Sequence, residues 1–464
     1  LAYIEDINDK YKGIYIHSTT PISLYALNYF QDSYDATLVY PVSALYREYV
    51  IQTYKKDHSA TEFVIAATEN NTNITISPRE SGVQKAEIII TLDKGNTYIY
   101  RSSNSDIDLS GTYICSTKPI GVFHGNQDAF VPAGTSNGPA NHLYEQSPST
   151  DFLGKNFIAS RTANQERDII RFTAVEDNTK IYINGTLYTT LKQYETAELN
   201  IKWLDYPNNS LSINASKMIY CGLYLTSFNA NRSTMCGAPT LTTLTPLELA
   251  IHSTIIGTFP FRSEMSQTHY VNIVVPTEAL STMKMDGKVI DANLFQELSF
   301  LIDGVQYSSA RIEVSSTAHV LDNTKAPFVC HVYGIAHYED DDGNASDESY
   351  AYSGGSNTLH PMWMLIDGER TDSVSICEDN GPVTFTSVIN FDYTDVRWEF
   401  HTYNPNSYYG YYPYSYTYKS LEGETKVIHR PKIKKRDNTT ATGDSVITKK
   451  YDDIPRYRPL REHI

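Results

Sequence analysis

Short runs of alternating apolar and polar residues, each closed by Asn, Asp or Gly, occupy most of this 464-residue chain. EIIITL, NTYIYRS and TKIYING are typical. A period of two with β-branched and aromatic residues predicts half-buried strands, and the punctuation predicts hairpins. No stretch keeps helical spacing for three turns. One short helical candidate is Asn141–Gln146.

The alternation is itself repeated. A paired-strand phrase reads GIYIHSTTPISLYALN from Gly13, GTYICSTKPIGVFHGN from Gly111, INASKMIYCGLYLTSFN from Ile213 and TAHVLDNTKAPFVCHVYG from Thr317. Pro21, Pro119, Met218 and Pro327 take equivalent places, spaced by 98, 99 and 109 residues. Two further phrases recur in step. One is a strand, an acidic turn and a strand: FVIAATENNTNITI from Phe63, IIRFTAVEDNTKIYI from Ile169 and VNIVVPTEALSTMKM from Val271. The other is a leucine, a turn and an aromatic or small residue, at Leu92 to Tyr98, Leu191 to Ala197 and Leu301 to Tyr307.

Three phrases in one order predict an all-β protein of tandem sandwich-like units of about 100 residues. The units run over residues 49–126, 156–229 and 255–338, inside a repeat region of residues 1–355. The copy at residues 13–30 is an orphan hairpin, and it predicts strand exchange that ties the N-terminus into the repeat body. A propeller-like closed repeat is the alternative, because there too a first segment completes the last blade. Residues 362–425 read as a small Ig-like β-sandwich containing Trp398, and residues 426–464 as a basic extended tail.

Charge sharpens that division. The tail holds 11 Lys and Arg against 5 Asp and Glu, within a chain of net charge −16. An acidic body argues against nucleic acid. No apolar run reaches the ~18 residues of a membrane helix. The chain opens at Leu1 without a charged-then-apolar leader, which reads as a mature or trimmed product. Five cysteines lie too far apart for a zinc ribbon. Cys221 and Cys236 are spaced to bridge a local loop, although Cys221 and Cys330 hold matching strand positions that suit small buried side chains. Eight N-x-S/T sequons (Asn70, Asn73, Asn184, Asn208, Asn214, Asn231, Asn344 and Asn438) are glycosylation candidates, of the kind an Asn- and Thr-rich chain also yields by chance.

DLSGTYICSTKPIGVFHGNQDAFVPAG from Asp108, followed by NHLYEQSPSTDFLGKNF, resembles the N-terminal domain of the IgG Fc-binding protein family. The ENNTNITI and EDNTKIYI turns and the closing SYAYSGG fit the same pattern, over residues 13–355. The third unit departs from it, with TEALST in place of the acidic turn. VSICEDNGPVTFTS from Val374 is similar to the opening of PKD-like modules of bacterial surface proteins. The resemblance implies an extracellular or cell-surface, non-enzymatic binding or scaffolding role, and the expected function is adhesion to glycoprotein, mucin or immunoglobulin-type partners, with a structural surface protein that assembles with copies of itself as the alternative. It supplies no catalytic residues.

Candidate chemistry is sparse. His124, Asp128, His142 and Glu145 form the one metal-type candidate, with His142 and Glu145 three apart on a helical face. The competing reading has them orient the linker by hydrogen bonds. Asp340, Asp342 and Asn344 match the opening of a calcium loop, but Ala345 and Ala351 stand where Gly and Glu belong. Tyr408, Tyr409, Tyr411, Tyr412 and Tyr414 offer flat faces for glycan binding or self-association. Phosphate loops, nucleophile elbows and HExxH are absent, which leaves a glycosidase-type carboxylate pair as the residual enzyme reading. Cofactors are expected to be none, save calcium.

Overall fold

The computed structural model describes residues 12–358, apart from 31–32, 56–58, 135–138, 228–236 and 340–344, together with the strands of residues 362–429. The chain divides into two units, Leu1–Thr358 and Leu359–Ile464.

The first unit opens with a hairpin, β1 (Tyr25–Phe30) and β2 (Ser33–Leu38). Module 1 follows: β3 (Glu48–Val50), β4 (Thr61–Ala67), β5 (Thr72–Ser77), a short hairpin β6 (Arg79–Glu80) and β7 (Val83–Gln84), β8 (Ile88–Leu92), β9 (Thr97–Arg101), β10 (Tyr113–Ser116), β11 (Ile120–Ala129) and β12 (Asn141–Gln146). Module 2 comprises β13 (Gly154–Ser160), β14 (Arg167–Ala174), β15 (Thr179–Ile183), β16 (Thr186–Leu191), β17 (Thr196–Lys202), β18 (Ser210–Leu225) and β19 (Thr240–Thr243). Module 3 comprises β20 (Ser253–Ile256), β21 (Ser266–Pro276), β22 (Met283–Met285), β23 (Lys288–Val289), β24 (Gln296–Ile302), β25 (Val305–Val314), β26 (His319–Asn323), β27 (Val329–Glu339) and β28 (Ala345–Ser353).

Each module is a two-sheet sandwich of one topology. The outer sheets are ordered β3-β10-β5-β8 and β20-β26-β22-β23, and the inner ones β12-β11-β4-β9 and β28-β27-β21-β25-β24. In module 2 the long β18 serves both sheets: Ser210 to Ala215 pair with β13 and β15, and Ile219 to Leu225 pair with β14 and β19, with Ile219 also meeting Gly154 of β13 across a register shift. The alternation read from the sequence is the sandwich interior. Phe63, Ile65 and Ala67 of β4 point into one core, Ile170, Phe172 and Ala174 of β14 into the next, and Val271, Ile273 and Val275 of β21 into the third.

The repeated turns have a local cause. Asn71 and Asn178 take positive φ (54° and 56°) in the first two acidic turns, a conformation that asparagine tolerates. TEALST has neither Asn nor Gly, and the third connection is instead a 3-10 helix, Thr277–Thr282. All three keep the closing threonine, whose hydroxyl donates to a carbonyl three residues back: Thr72 to Glu69, Thr179 to Glu176 and Thr282 to Ala279. The leucine phrase diverges in unit three. Leu92 and Leu191 end outer strands whose successors join the inner sheet, whereas Leu301 to Tyr307 forms the β24–β25 hairpin within one sheet.

Two expectations need correcting. Asn141–Gln146 is a strand, β12, because it pairs along β11 from Phe123 to Ala129. The orphan hairpin spans Tyr25–Leu38, and residues 13–24 contain no strand. Its second strand comes from SYDATL, downstream of the repeated phrase.

In the second unit β29 (Met362–Ile366), β30 (Glu369–Arg370), β31 (Thr384–Ile389) and β34 (Lys426–His429) form one sheet, ordered β30-β29-β31-β34, while β32 (Asp395–Tyr403) pairs with β33 (Tyr411–Lys419).

Candidate functional site: the strand ring and its turn end

The repeat closes on itself. Six residues beyond each landmark lie Leu27, Gly125, Tyr224 and Tyr333, and across each hairpin their register partners are Ala36, Tyr144, Leu241 and Ala351. The strands carrying those partners pack in a ring: β2 against β12 and β28, and β19 against β12 and β28. Asp35 sits at the centre, fully buried. Its Oδ1 accepts the backbone N–H of Ala36 (2.9 Å) and Ala351 (3.3 Å), and its Oδ2 those of Tyr144 (3.0 Å) and Leu241 (3.1 Å). One carboxylate thus satisfies four symmetry-related donors that no sheet partner reaches. The orphan hairpin is the fourth member of the ring.

Layers on either side repeat the device. At the strand starts, the Asn141 side-chain amide donates to the carbonyls of Tyr34, Pro239 (2.8 Å) and Ser349 (3.3 Å), and its Oδ1 accepts Tyr34 N–H (2.9 Å). Further along, Glu145 accepts from the Thr37 hydroxyl (3.0 Å) and Thr243 N–H (3.3 Å). Burial pushes the Asp35 and Glu145 carboxyls well above their usual range, and the hydrogen bonds they accept oppose that shift.

Of the four metal-type candidates, His124 and Glu145 are brought side by side as register partners on β11 and β12, and His142 and Asp128 do not join them as a cluster. His124 and His142 are buried, and burial pushes their pKa values down to about 3 and about 4. The His124 ring meets the Tyr220 hydroxyl at 3.0 Å. In a strand, His142 and Glu145 face opposite sides. Asp128 lies at the β11 bulge, with its N–H on Asn126 Oδ1. Among the described residues no three His, Cys, Asp or Glu side chains gather as a metal cluster. Asp340, Asp342, Asn344, Asn231, Asn438, Cys236, Tyr408 and Tyr409 lie outside the described residues, and Tyr411, Tyr412 and Tyr414 belong to β33. Cys221 is a free thiol in the module 2 core. Asn70, Asn73 and Asn184 are exposed, whereas the Nδ2 atoms of Asn208 and Asn214 donate to Glu297 O (2.6 Å) and Asn156 Oδ1 (2.9 Å).

Asp168 accepts Trp203 Nε1–H (2.7 Å) and the Thr162 hydroxyl (3.0 Å), and burial pushes its pKa up to about 7. A cavity between modules 2 and 3, edged by Ile158, Leu223, Asn272, His331 and Tyr333, measures about 10 Å³, room for one water. The Asp168 shift has a testable sign. A carboxyl protonated more readily when folded adds stability below its unfolded pKa, and that stability is lost as pH rises from ~4 towards 7. Asp168→Asn is expected to remove roughly 1.4 kcal/mol per pH unit of that decline. Unfolding midpoints measured across this window in both proteins check it, and parallel profiles would refute it.

At the end where the hairpins turn, the ring presents a mixed surface. Tyr29, 48% exposed, packs on Tyr34 (4.5 Å between ring centres), which packs on Phe261 (5.2 Å). Beside Phe261, Arg262 forms an ion pair with Glu348 (2.8 Å) and donates to the Ser346 hydroxyl (3.0 Å), and His337 meets Asp347 at 2.9 Å. A half-exposed tyrosine packed on buried rings, beside an arginine anchored from behind, has the composition of a protein-recognition surface. Sequence reasoning missed Asp35, Arg262 and Asn141. No local signal marked Asp35, which alternates with Ser33 and Thr37 on the polar side of SYDATL.

The family described as IgGFc binding protein matches residues 35–334, the span from Asp35 to Gly334 in β27. The human protein named IgGFc-binding protein is 23% identical over 323 residues, 68% of this chain and 6% of that protein. The chain therefore spans a small part of its relative's length. Among solved structures, a calcium-stabilised adhesin with which an Antarctic bacterium binds ice overlaps at TM-score 0.11 and 10% identity, covering 78% of this chain and 89% of that one. A Streptomyces avermitilis α-L-rhamnosidase overlaps at TM-score 0.12 and 9% identity, covering 83% and 55%. Overlaps this small carry no inference about fold or function.

Proposed function

This chain belongs to the IgGFc binding protein family, and from that premise we propose that it is an extracellular, non-catalytic binding module for a protein or glycoprotein partner. The observation that carries the reading is that the family match, residues 35–334, begins at Asp35 and covers the ring strands β2, β12 and β19, ending in β27, the partner of the fourth ring strand β28. A ring pinned at its axis holds separate hairpins in fixed relation, so a surface made from several of them is preorganised and loses little entropy on binding. The turn end is the face we assign to the partner, with Tyr29 as the apolar contact above Tyr34 and Phe261. The relative's name supplies the first ligand to try, the Fc region of IgG, and mucin glycoprotein is the second.

Immobilised Fc and mucin, each titrated with the chain, test this. Saturable binding to one of them is expected, weakened about tenfold or more by Tyr29→Ser with the melting temperature unchanged. Binding that Tyr29→Ser and His337→Ala leave intact would move the site elsewhere. No binding to either would remove the reading for these partners.

A further inference from the structure

The orphan hairpin is the closing part of a fourth repeat whose other strands are missing from the sheet. In modules 1 to 3 the strands equivalent to β1 are β11, the latter half of β18, and β27. Each has a ring strand on one edge and β4, β14 or β21 on the other. Among the described residues β1 pairs with β2 alone. Val39 N–H donates to Leu24 O (2.8 Å), and Ala36 N–H turns away to Asp35. By antiparallel alternation, Ala26 and Asn28 therefore bond to β2, while the backbone groups of Tyr25, Leu27 and Tyr29 face the free edge.

A second observation points the same way. Residues of the preceding phrase that are core positions in module 1 lie in solvent here. Ile16 is 52% exposed where its equivalent Ile114 is at 0%, and Ile22 is 55% exposed where Ile120 is at 0%. An unpaired edge flanked by stranded apolar side chains is an acceptor for an added strand.

We propose that the free edge of β1 is a docking site for one extended strand of a partner polypeptide, added antiparallel, with apolar residues at alternate positions. The chain contains three examples of the occupant. FVIAA in β4, IIRFTA in β14 and VNIVV in β21 fill the same slot, each burying its alternate residues (Phe63 and Ile65, Ile170 and Phe172, Val271 and Ile273).

Residue-resolved amide exchange on the whole chain, with and without a synthetic peptide of the β14 sequence RDIIRFTA, tests this. Without peptide, the Tyr25, Leu27 and Tyr29 amides should exchange faster than those of Ala26 and Asn28. With peptide, those three should slow by about tenfold or more, and a scrambled peptide should leave them unchanged. Three results would overturn the proposal: the three amides already protected in the dilute chain, meaning the chain covers its own edge; protection that rises with chain concentration alone, meaning a second copy occupies it; or no response to the peptide. Leu27→Pro, which removes one outward N–H and spares the bonds to β2, should abolish the peptide effect while leaving Ala26 and Asn28 protected.

Discussion

Asp35→Ala is expected to cost this protein more stability than any other single substitution in its axis. The change strands four buried N–H groups, those of Ala36, Tyr144, Leu241 and Ala351, on four different hairpins. At about 1 kcal/mol or more for each orphaned donor, the loss is roughly 4 kcal/mol or greater. Asp35→Asn keeps one acceptor oxygen but turns an amide N–H2 towards donors, so about half of that loss is expected. Denaturant midpoints of the three proteins, followed by tyrosine fluorescence, give the order parent, Asn, Ala. The N-terminal hairpin should also become the first segment cut by protease in the alanine variant, since Asp35 is its anchor to the other three. An alanine variant with the parent's midpoint would show that the axis is not a keystone.

The second large effect lies between modules 1 and 2. Arg171 on β14 is buried, with Nη2 on Asp108 Oδ2 at 2.6 Å, Nη1 donating to Thr53 O and to Ser110 Oγ (3.1 Å), and its guanidinium 5.3 Å from the Tyr54 ring centre. Gln52 Nε2 donates back to Arg171 O at 3.1 Å. At the next junction Asn272 takes the place of Arg171, donating to Ser160 O (3.2 Å) and Arg161 O (3.1 Å). Arg171→Met leaves Asp108 buried without its cation, a loss of about 3–5 kcal/mol. Adding Asp108→Asn should recover much of it, because the uncompensated charge goes. The guanidinium holds the Asp108 carboxyl below its usual range despite burial. Its contribution is therefore present above the ordinary carboxylate pKa and lost as pH falls through the lowered value. Midpoints for the two single variants and the double variant decide the matter. Additive losses would mean that the pair is not coupled.

Much of this architecture is visible in residue order. The spacing of Pro21, Pro119, Met218 and Pro327 locates four hairpins, and counting six on from each lands on residues whose cross-strand partners meet at Asp35. Asn at positive φ fixes two turns, and its absence from TEALST marks where the third differs. The reading faltered where partners are remote. Asn141–Gln146 has helix-compatible spacing over six residues, and only pairing with β11 makes it a strand. His142 and Glu145 shared a face on paper and oppose each other in the fold.

The sequence by itself determined strands, turns, cores and the count of repeats, because each depends on side chains within a few positions along the chain. The tertiary structure decided that the repeats close. Ring closure rests on Asp35 reaching donors up to 316 residues away, through one short acidic side chain that no local pattern distinguishes from a solvated one. The turn end depends likewise on Tyr34 of the first hairpin packing against Phe261 of module 3, a proximity that periodicity does not encode.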